Sequence, residues 1–173
     1  MITLRTAPQL TIGPQHHYRG RSLHLVDVEN LAGGTTFGEV DVAVIAAAYG
    51  PVASIGPNDL VVVASSHFTA VQTWFGWGGG VRRLIRSGPD GADLALLEVL
   101  ETERVATRFG RVVIGSGDRI FAEPAAWLQA QDVDVTVVTR ADSLSKQIRL
   151  AVRDIRFLNV LPQLAADLGQ RAA

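Results

Sequence analysis

Acidic side chains stand at the ends of three apolar segments of the sequence. Asp27 ends the run SLHLVD, Asp93 opens the run DLALLEVL, and Asp118 follows the run VVIGSG. Carboxylates that meet at one site repel one another and need a counter-charge. Hard divalent cations such as Mg²⁺ or Mn²⁺ take oxygen ligands and keep several waters, which leaves room for a phosphate oxygen and an attacking water. If the three acids meet, they predict metal-assisted hydrolysis of a phosphodiester.

Each acid also has a structural explanation. Asp is common at helix N-caps and in first turns, so Asp93 fits the start of a helix and Asp118 fits the cap of another. Asp27 is harder to explain in this way, because a carboxylate at the end of a buried strand is costly unless it is paired or metal-bound. Asn30 also fits a turn, and Glu29 is expected to be a solvated neighbour. The joint placement of the acids after separate apolar segments favours a site.

Apolar runs alternate with helical patterns along the chain. Strands are predicted at 22–28, 59–65, 81–87, 111–116, 133–139 and 155–158, and helices at 38–50, 68–77, 90–110, 122–132, 143–152 and 161–169. In the longest predicted helix, 90–110, the buried stripe is predicted to include Leu94, Leu97 and Leu100. This alternation predicts a single three-layer α/β/α domain with a mostly parallel central sheet over residues 22–173, preceded by an irregular arm over residues 1–21.

In such a sheet, ligands bind outside the carboxyl ends of the strands, where the strand order changes direction. The acids and the polar residues that follow the strands are therefore expected to meet at one edge. Among these polar residues are Ser116 after the fourth strand and Arg140 after the fifth.

Composition and charge limit the classes of function. The 173 residues fit one domain, and the formal net charge of −1 implies no bulk attraction to nucleic acids or membranes. The chain has no cysteine, which excludes disulfides, zinc–thiolate sites and thiol catalysis. No apolar run reaches the roughly 20 residues that cross a bilayer, and the N-terminal stretch has no continuous apolar segment typical of a signal peptide. We therefore expect a cytoplasmic protein with no membrane partner.

Several arginines in the predicted third strand have two possible roles. Arg82 and Arg86 are expected to point to one face of a short strand and Arg83 to the other. They either guard an edge strand with charge or form a track for an RNA backbone. Arg119 follows the third acid and adds a positive charge there.

Three segments resemble, in chain order, the signature blocks of the NYN-domain proteins, which belong to the PIN-like nucleases. The segments are HLVDVENL, GADLALLEVL and VVIGSGDRIFAEPAAWLQAQDVDVTVV, and the resemblance spans about residues 22 to 158. It implies a PIN-like fold, a divalent metal (Mg²⁺ or Mn²⁺) held by acids, and ribonuclease activity on RNA. By position, Asp27 and Asn30 match the first block, Asp93 the second and Asp118 the third, so that the three acids would hold the metal. Ser116 would orient a water or a carboxylate, and Arg82, Arg86 and Arg119 would bind the substrate.

The third block departs from the family pattern. Many relatives carry a second Asp where this chain has Ile120, and a Lys where it has Asp90. Loss of an acid weakens metal affinity, so the alternative is a catalytically weakened PIN-like module that binds RNA or protein. Asp154 falls near a late Asp of the family, or is only a surface or pairing residue.

Other enzyme classes fit less well. A haloacid-dehalogenase-type phosphatase needs D-x-D after the first strand, where this chain has Asp27, Val28 and Glu29. The G-x-G-x-x-G loop of dinucleotide-binding domains and the Walker lysine loop are both missing from the sequence. The aromatic cluster of Trp74, Phe75 and Trp77 is expected in the core or in the contact of a homodimer, with base stacking as the alternative.

Overall fold

The computed structural model describes residues 20–159, and that part of the chain forms six β-strands and seven α-helices. Their bounds are β1 (Ser22–Asp27), α1 (Val28–Ala32), α2 (Glu39–Ala53), β2 (Leu60–Ser65), α3 (Ala70–Gly76), β3 (Arg82–Ile85), α4 (Gly91–Thr102), α5 (Val105–Arg108), β4 (Arg111–Gly115), α6 (Ala122–Ala130), β5 (Asp134–Thr139), α7 (Lys146–Ala151) and β6 (Asp154–Phe157). Residues Arg119–Phe121 add a short 3-10 turn before α6. Most of the predicted N-terminal arm and the helix predicted at 161–169 lie outside the described residues.

The six strands form one parallel sheet in the order β3-β2-β1-β4-β5-β6. Helices α4, α6 and α7 cover one face, and α1 and α2 cover the other. The predicted three-layer α/β/α class is therefore confirmed. The strand order changes direction between β1 and β4, and in sheets of this order the ligand crevice lies at that switch point.

The central strands are buried on both faces because their residues alternate between two apolar clusters. In β1, Leu25 belongs to the cluster under α4, whereas Val26 belongs to the cluster under α2. Both side chains are fully buried, and each contributes about 1.5–3 kcal/mol relative to an exposed position. The same alternation turns Asp27 toward the α4 side of the sheet.

Two predicted helices differ from the structure. The helix predicted at 90–110 is two helices, because Arg104 adopts a left-handed conformation with φ of 51° between α4 and α5. Helix α2 continues past Gly50 and Pro51 to Ala53 and is the longest in residues 20–159. Its last carbonyls accept hydrogen bonds from cations: Arg111 donates to Ala53 O at 3.0 Å and Arg156 to Val52 O at 2.9 Å. Positive charge at a helix C-terminus stabilises the helix.

The buried face of α4 is also shifted from the prediction. Leu96 and Leu100 face the core, whereas Leu94 is 36% exposed. Asp93 lies three residues before Leu96 and seven before Leu100, so it shares their inward face. The helix therefore carries a carboxylate toward the sheet.

The aromatic cluster divides between core and surface. Trp77 is buried and makes an edge-to-face contact with Tyr49 at 5.7 Å between ring centroids. Phe75 is 70% exposed and Trp74 is 45% exposed, so the core prediction is wrong for these two. A homodimer contact at this surface stays a prediction.

In the described part of the chain, the longest helix has 15 residues, and none is long and apolar enough to cross a membrane.

Candidate functional site

Asp27 ends β1 and caps the helix that follows it. Its carboxylate oxygen Oδ1 accepts hydrogen bonds from the backbone N–H groups of Glu29 at 3.0 Å and Asn30 at 3.2 Å. An N-cap aspartate satisfies otherwise unpaired amides of the first turn. Helix α1 then ends at Gly33, which adopts the left-handed conformation with φ of 85°. The chain thus turns from strand to helix within one residue and leaves Asp27 buried at the switch point.

Asp93 lies in the first turn of α4 and faces Asp27. Both residues line the same cleft, and the charge of Asp27 acts on Asp93. Both are buried, and Asp93 Oδ1 has no hydrogen-bond donor among residues 20–159. An ionised carboxylate has no hydrogen to donate. A hydrogen bond between the two groups therefore requires that one of them is protonated. The sequence predicts that these two acids meet. The lack of a hydrogen-bond donor for Asp93 Oδ1 distinguishes them from a purely structural pair.

The surroundings of the pair favour the neutral form of a carboxyl group. Burial raises the pKa of Asp93 to about 8, and the negative charges of Asp27, Asp118 and Asp90 push it the same way. Burial also raises the pKa of Asp27, to about 6, against the hydrogen bonds it accepts from Asn30 N–H, Asp93 and Glu29 N–H. Interacting carboxyl groups titrate as a unit, and both shifts favour a protonated carboxyl group in this pair. A bound cation would take the place of that proton.

Asp118 and Ser116 follow β4, and Asp118 is near enough for its charge to act on Asp93. Asp118 Oδ1 accepts from Ile120 N–H at 2.9 Å and caps the 3-10 turn, while Ser116 Oγ accepts from Asp118 N–H at 3.3 Å. Ile120 packs against the core. In residues 20–159, no three His, Asp or Glu side chains form a group that would hold a metal ion. The geometry therefore brings together two of the three predicted metal ligands, with the third acting on Asp93 through its charge.

Asn30 and Glu29 connect α1 to the loops on both sides. Asn30 Oδ1 accepts from Gly117 N–H in the loop after β4 at 3.0 Å. Glu29 Oε1 accepts from Ser66 N–H at 3.0 Å and Thr69 Oγ1 at 2.5 Å in the loop after β2. The expectation that Glu29 is merely solvated is wrong. These bonds hold α1 between the two loops and thereby fix the position of Asp27.

Asp27 and Asp93 line an open cleft of about 450 Å³. Its other walls are α1 with the Gly33–Thr35 turn, the loop from Gly88 to Ala92, and the side chains of Arg140 and Ser143. The sequence predicts Arg140 at this edge of the sheet but indicates no role for it in binding. Its position after a buried strand, at the edge where the acids meet, is the sequence signal by which it could be found.

The predicted substrate-binding arginines lie elsewhere. Arg82 forms an ion pair with Glu103, and Arg86 Nη1 lies 3.4 Å from Glu98 Oε2, so both are paired on the α4 side of the sheet edge. Arg83 turns to the other face, as expected, and donates to Trp74 O at 3.1 Å. This arrangement suits a charge-guarded edge strand.

Two further charged residues considered from the sequence are Arg119 and Asp154. Arg119 is exposed beside Asp118 and has no ion-pair partner within the described ranges. Asp154 begins β6 and pairs with Arg156 and Thr136, so it is a pairing residue at the amino-terminal end of the sheet. Its position excludes it from the cleft.

The donor set of the cleft fits a hard divalent cation. Mg²⁺ is commonly held by one or two carboxylates together with waters and substrate phosphates. Asp27 and Asp93 provide two carboxylates, and the unpartnered Oδ1 of Asp93 provides an oxygen that nothing else in residues 20–159 occupies. The residues present therefore fit a magnesium or manganese ion.

Comparison with known proteins supports the fold alone. The chain matches no protein-family model and no curated protein. A similar solved structure is that of a protein of unknown function from Vibrio parahaemolyticus, with a TM-score of 0.51 and 16% identity over 84% of this chain and 96% of that one. The resemblance of three motifs to the NYN-domain family stays a prediction.

Proposed function

We propose that the cleft is the active site of a divalent-metal-dependent ribonuclease. The observation that carries the proposal is the placement of two buried aspartates, Asp27 and Asp93, in one cleft at the switch point of a parallel sheet. Buried like charges in contact are unfavourable without a cation or a proton. Their arrangement in an open cleft is typical of a functional site.

In this proposal the pair holds Mg²⁺ or Mn²⁺, which when bound polarises a phosphate oxygen and lowers the pKa of a water. With both carboxylates engaged in holding the ion, the attacking water would lose its proton to solvent. The water oxygen forms a bond to phosphorus while the bond to the leaving ribose oxygen breaks, and solvent protonates that oxygen. Asp27 stays fixed because its Oδ1 accepts hydrogen bonds from two backbone N–H groups.

RNA as the substrate and the cytoplasm as the compartment come from the sequence. RNA is suggested by the resemblance of the three motifs, and the cytoplasm by the lack of a membrane-spanning run. A second function, a binding module with weakened catalysis, is favoured by one observation: the Asp118 carboxylate caps its own turn, and no group of three acids forms in residues 20–159.

Thermal melting with and without Mn²⁺ tests the proposal. An ion that binds the native site stabilises it by about 2.7 kcal/mol at a hundred times its dissociation constant. We expect a rise in Tm with millimolar Mn²⁺, Mn²⁺-dependent cleavage of a single-stranded RNA, and loss of both in Asp27→Asn.

The matched control is Asp132→Asn, which makes the same change on an exposed turn residue after α6. This variant should keep the Mn²⁺ shift and the cleavage. A wild-type protein whose Tm does not respond to millimolar Mn²⁺ would rule out the nuclease and favour the binding module.

A further inference from the structure

Arg140 is a buried cation in the wall of an otherwise acidic cleft. It follows the last residue of β5, and it is only 9% exposed although its side chain lines the cleft with Asp27 and Asp93. Arginine is seldom buried to this extent without several partners. The partners of Arg140 therefore indicate what the side chain is for.

The hydrogen bonds of Arg140 leave most of its donors unused. A guanidinium has five N–H donors. Within residues 20–159, Nη2 pairs with Asp142, which is itself 59% exposed, and Nε is buried with no partner. A buried donor without an acceptor costs roughly 1–3 kcal/mol. The side chain thus retains capacity for a ligand with acceptor oxygens.

The Gly33 turn of α1 brings the backbone close to this guanidinium. A Cβ atom built on Gly33 would lie 1.8 Å from Arg140 Nη1, so a side chain at position 33 would displace the guanidinium from this position. The φ of Gly33, 85°, also favours glycine. The contact places the guanidinium against α1, the helix that Asp27 caps, in the wall of the cleft that Asp27 and Asp93 also line.

We propose that Arg140 binds the non-bridging oxygens of a phosphate in this cleft. The planar fork of a guanidinium matches two oxygens of a phosphate, and such charge-assisted pairs are strong. Arg82 and Arg86 already have glutamate partners, Glu103 just after α4 and Glu98 on it, whereas Arg140 has unused donors. As a subsite for an RNA phosphodiester the assignment rests on the proposed function, but phosphate binding itself does not.

Inorganic phosphate is the probe for the test. The full chain, stripped of metal with EDTA, is titrated with phosphate at constant ionic strength, and binding is followed by ³¹P line broadening and by the rise in Tm. We expect saturable binding by the wild type and at least a tenfold weaker affinity in Arg140→Gln. Arg149→Gln is the matched control, because Arg149 is exposed on α7 away from the cleft, and its affinity should equal that of the wild type.

Arg140→Lys covers the case in which Arg140→Gln fails to fold. It keeps the charge and the aliphatic stem but loses the fork, so we expect a folded protein with several-fold weaker phosphate binding. Phosphate affinity that is the same in the wild type and in the folded Arg140 variants would overturn the proposal. Failure of the wild type to bind phosphate at all would overturn it too.

The same proteins separate this inference from the proposed nuclease. Arg140→Gln or Arg140→Lys should keep the Tm shift with Mn²⁺, whereas Asp27→Asn should lose it. Arg140-dependent phosphate binding without any Mn²⁺ shift in the wild type would refute the nuclease and leave the anion site in place. A Mn²⁺ shift with Arg140-independent phosphate binding would do the opposite.

Discussion

Aspartates at opposite ends of the sheet have opposite environments. Asp59, just before β2, accepts from Ser22 N–H at 2.6 Å, Gly56 N–H at 2.7 Å and His24 Nε2 at 3.2 Å. Burial alone would raise the pKa of Asp59, but these hydrogen bonds outweigh it and hold that pKa below its usual value. At the carboxyl end, Asp27 and Asp93 face each other, and the pKa of each is raised.

The difference lies in the supply of hydrogen-bond donors. Three donors, two from β1 and one from the loop before β2, surround Asp59 and stabilise its charge. Asp93 Oδ1 has no hydrogen-bond donor within residues 20–159, so only a proton or a cation would neutralise its charge. The aspartates therefore differ in role: hydrogen bonds stabilise the charge of Asp59, whereas burial disfavours the charges of Asp27 and Asp93.

The largest expected effect is that of Asp59→Ala. Removal of the carboxylate leaves the N–H groups of Ser22 and Gly56 and the ring of His24 without their acceptor. Because buried donors left unpaired cost about 1–3 kcal/mol each, and some regain water, we expect a loss of roughly 2–4 kcal/mol in the free energy of unfolding. Urea denaturation at pH 7 measures it, and a loss below about 1 kcal/mol would show that Asp59 is not a structural centre.

Asp93→Asn should have a smaller effect of the opposite sign. The pKa of Asp93 is raised in the folded state, so the stability linked to its proton is complete below the unfolded pKa near 4. That stability is lost as pH rises toward about 8. The metal-free wild type should thus lose stability between about pH 4 and pH 8, and Asp93→Asn should remove much of this slope.

At pH 8 we expect the metal-free Asp93→Asn protein to be more stable than the wild type by about 1–2 kcal/mol. Urea denaturation in EDTA at pH 5 and pH 8 gives both values. If the variant is less stable than the wild type at pH 8, Asp93 is a structural residue like Asp59, and the contrast between the two ends disappears.

At the amino-terminal end of the sheet, the stability should show the reverse dependence and fall as the pH becomes more acidic. Burial lowers the pKa of His24, against the hydrogen bond and charge of Asp59. Above the unfolded pKa near 6.5 the ring is neutral in both states, whereas below it the unfolded chain binds a proton that the folded His24 resists. His24→Gln should therefore flatten the loss of stability below about pH 6.5, as measured by melts from pH 7 to pH 5. An unchanged acid limb would contradict this.

Tyr49→Phe should have the smallest effect. The Tyr49 hydroxyl lies 3.4 Å from His24 Nδ1, which is long for a hydrogen bond. We expect a change below about 1 kcal/mol in the free energy of unfolding, with the pH dependence of His24 retained. A larger loss would mean that the hydroxyl is part of the support of Asp59.

Local pattern was sufficient to predict much of this protein. The apolar runs and their alternation with helical patterns determined the order of strands and helices and the three-layer class. They also predicted that Asp27 and Asp93 would meet, because the carboxyl ends of parallel strands share one edge. Short-range chemistry explains Asp27 as well, since the donors of its cap lie two and three residues away.

Contacts between distant parts of the chain could be decided only by the tertiary structure. Asn30 meets Gly117 across 87 positions, and Glu29 meets Thr69 across 40, so no local pattern encodes either hydrogen bond. Arg82 and Arg140 are the same residue type, yet Arg82 pairs with Glu103 after α4, whereas Arg140 packs against the Gly33 turn and pairs with Asp142. Charge, burial and free donors are properties of neighbours in space, and the crossover connections determine which neighbours each side chain receives.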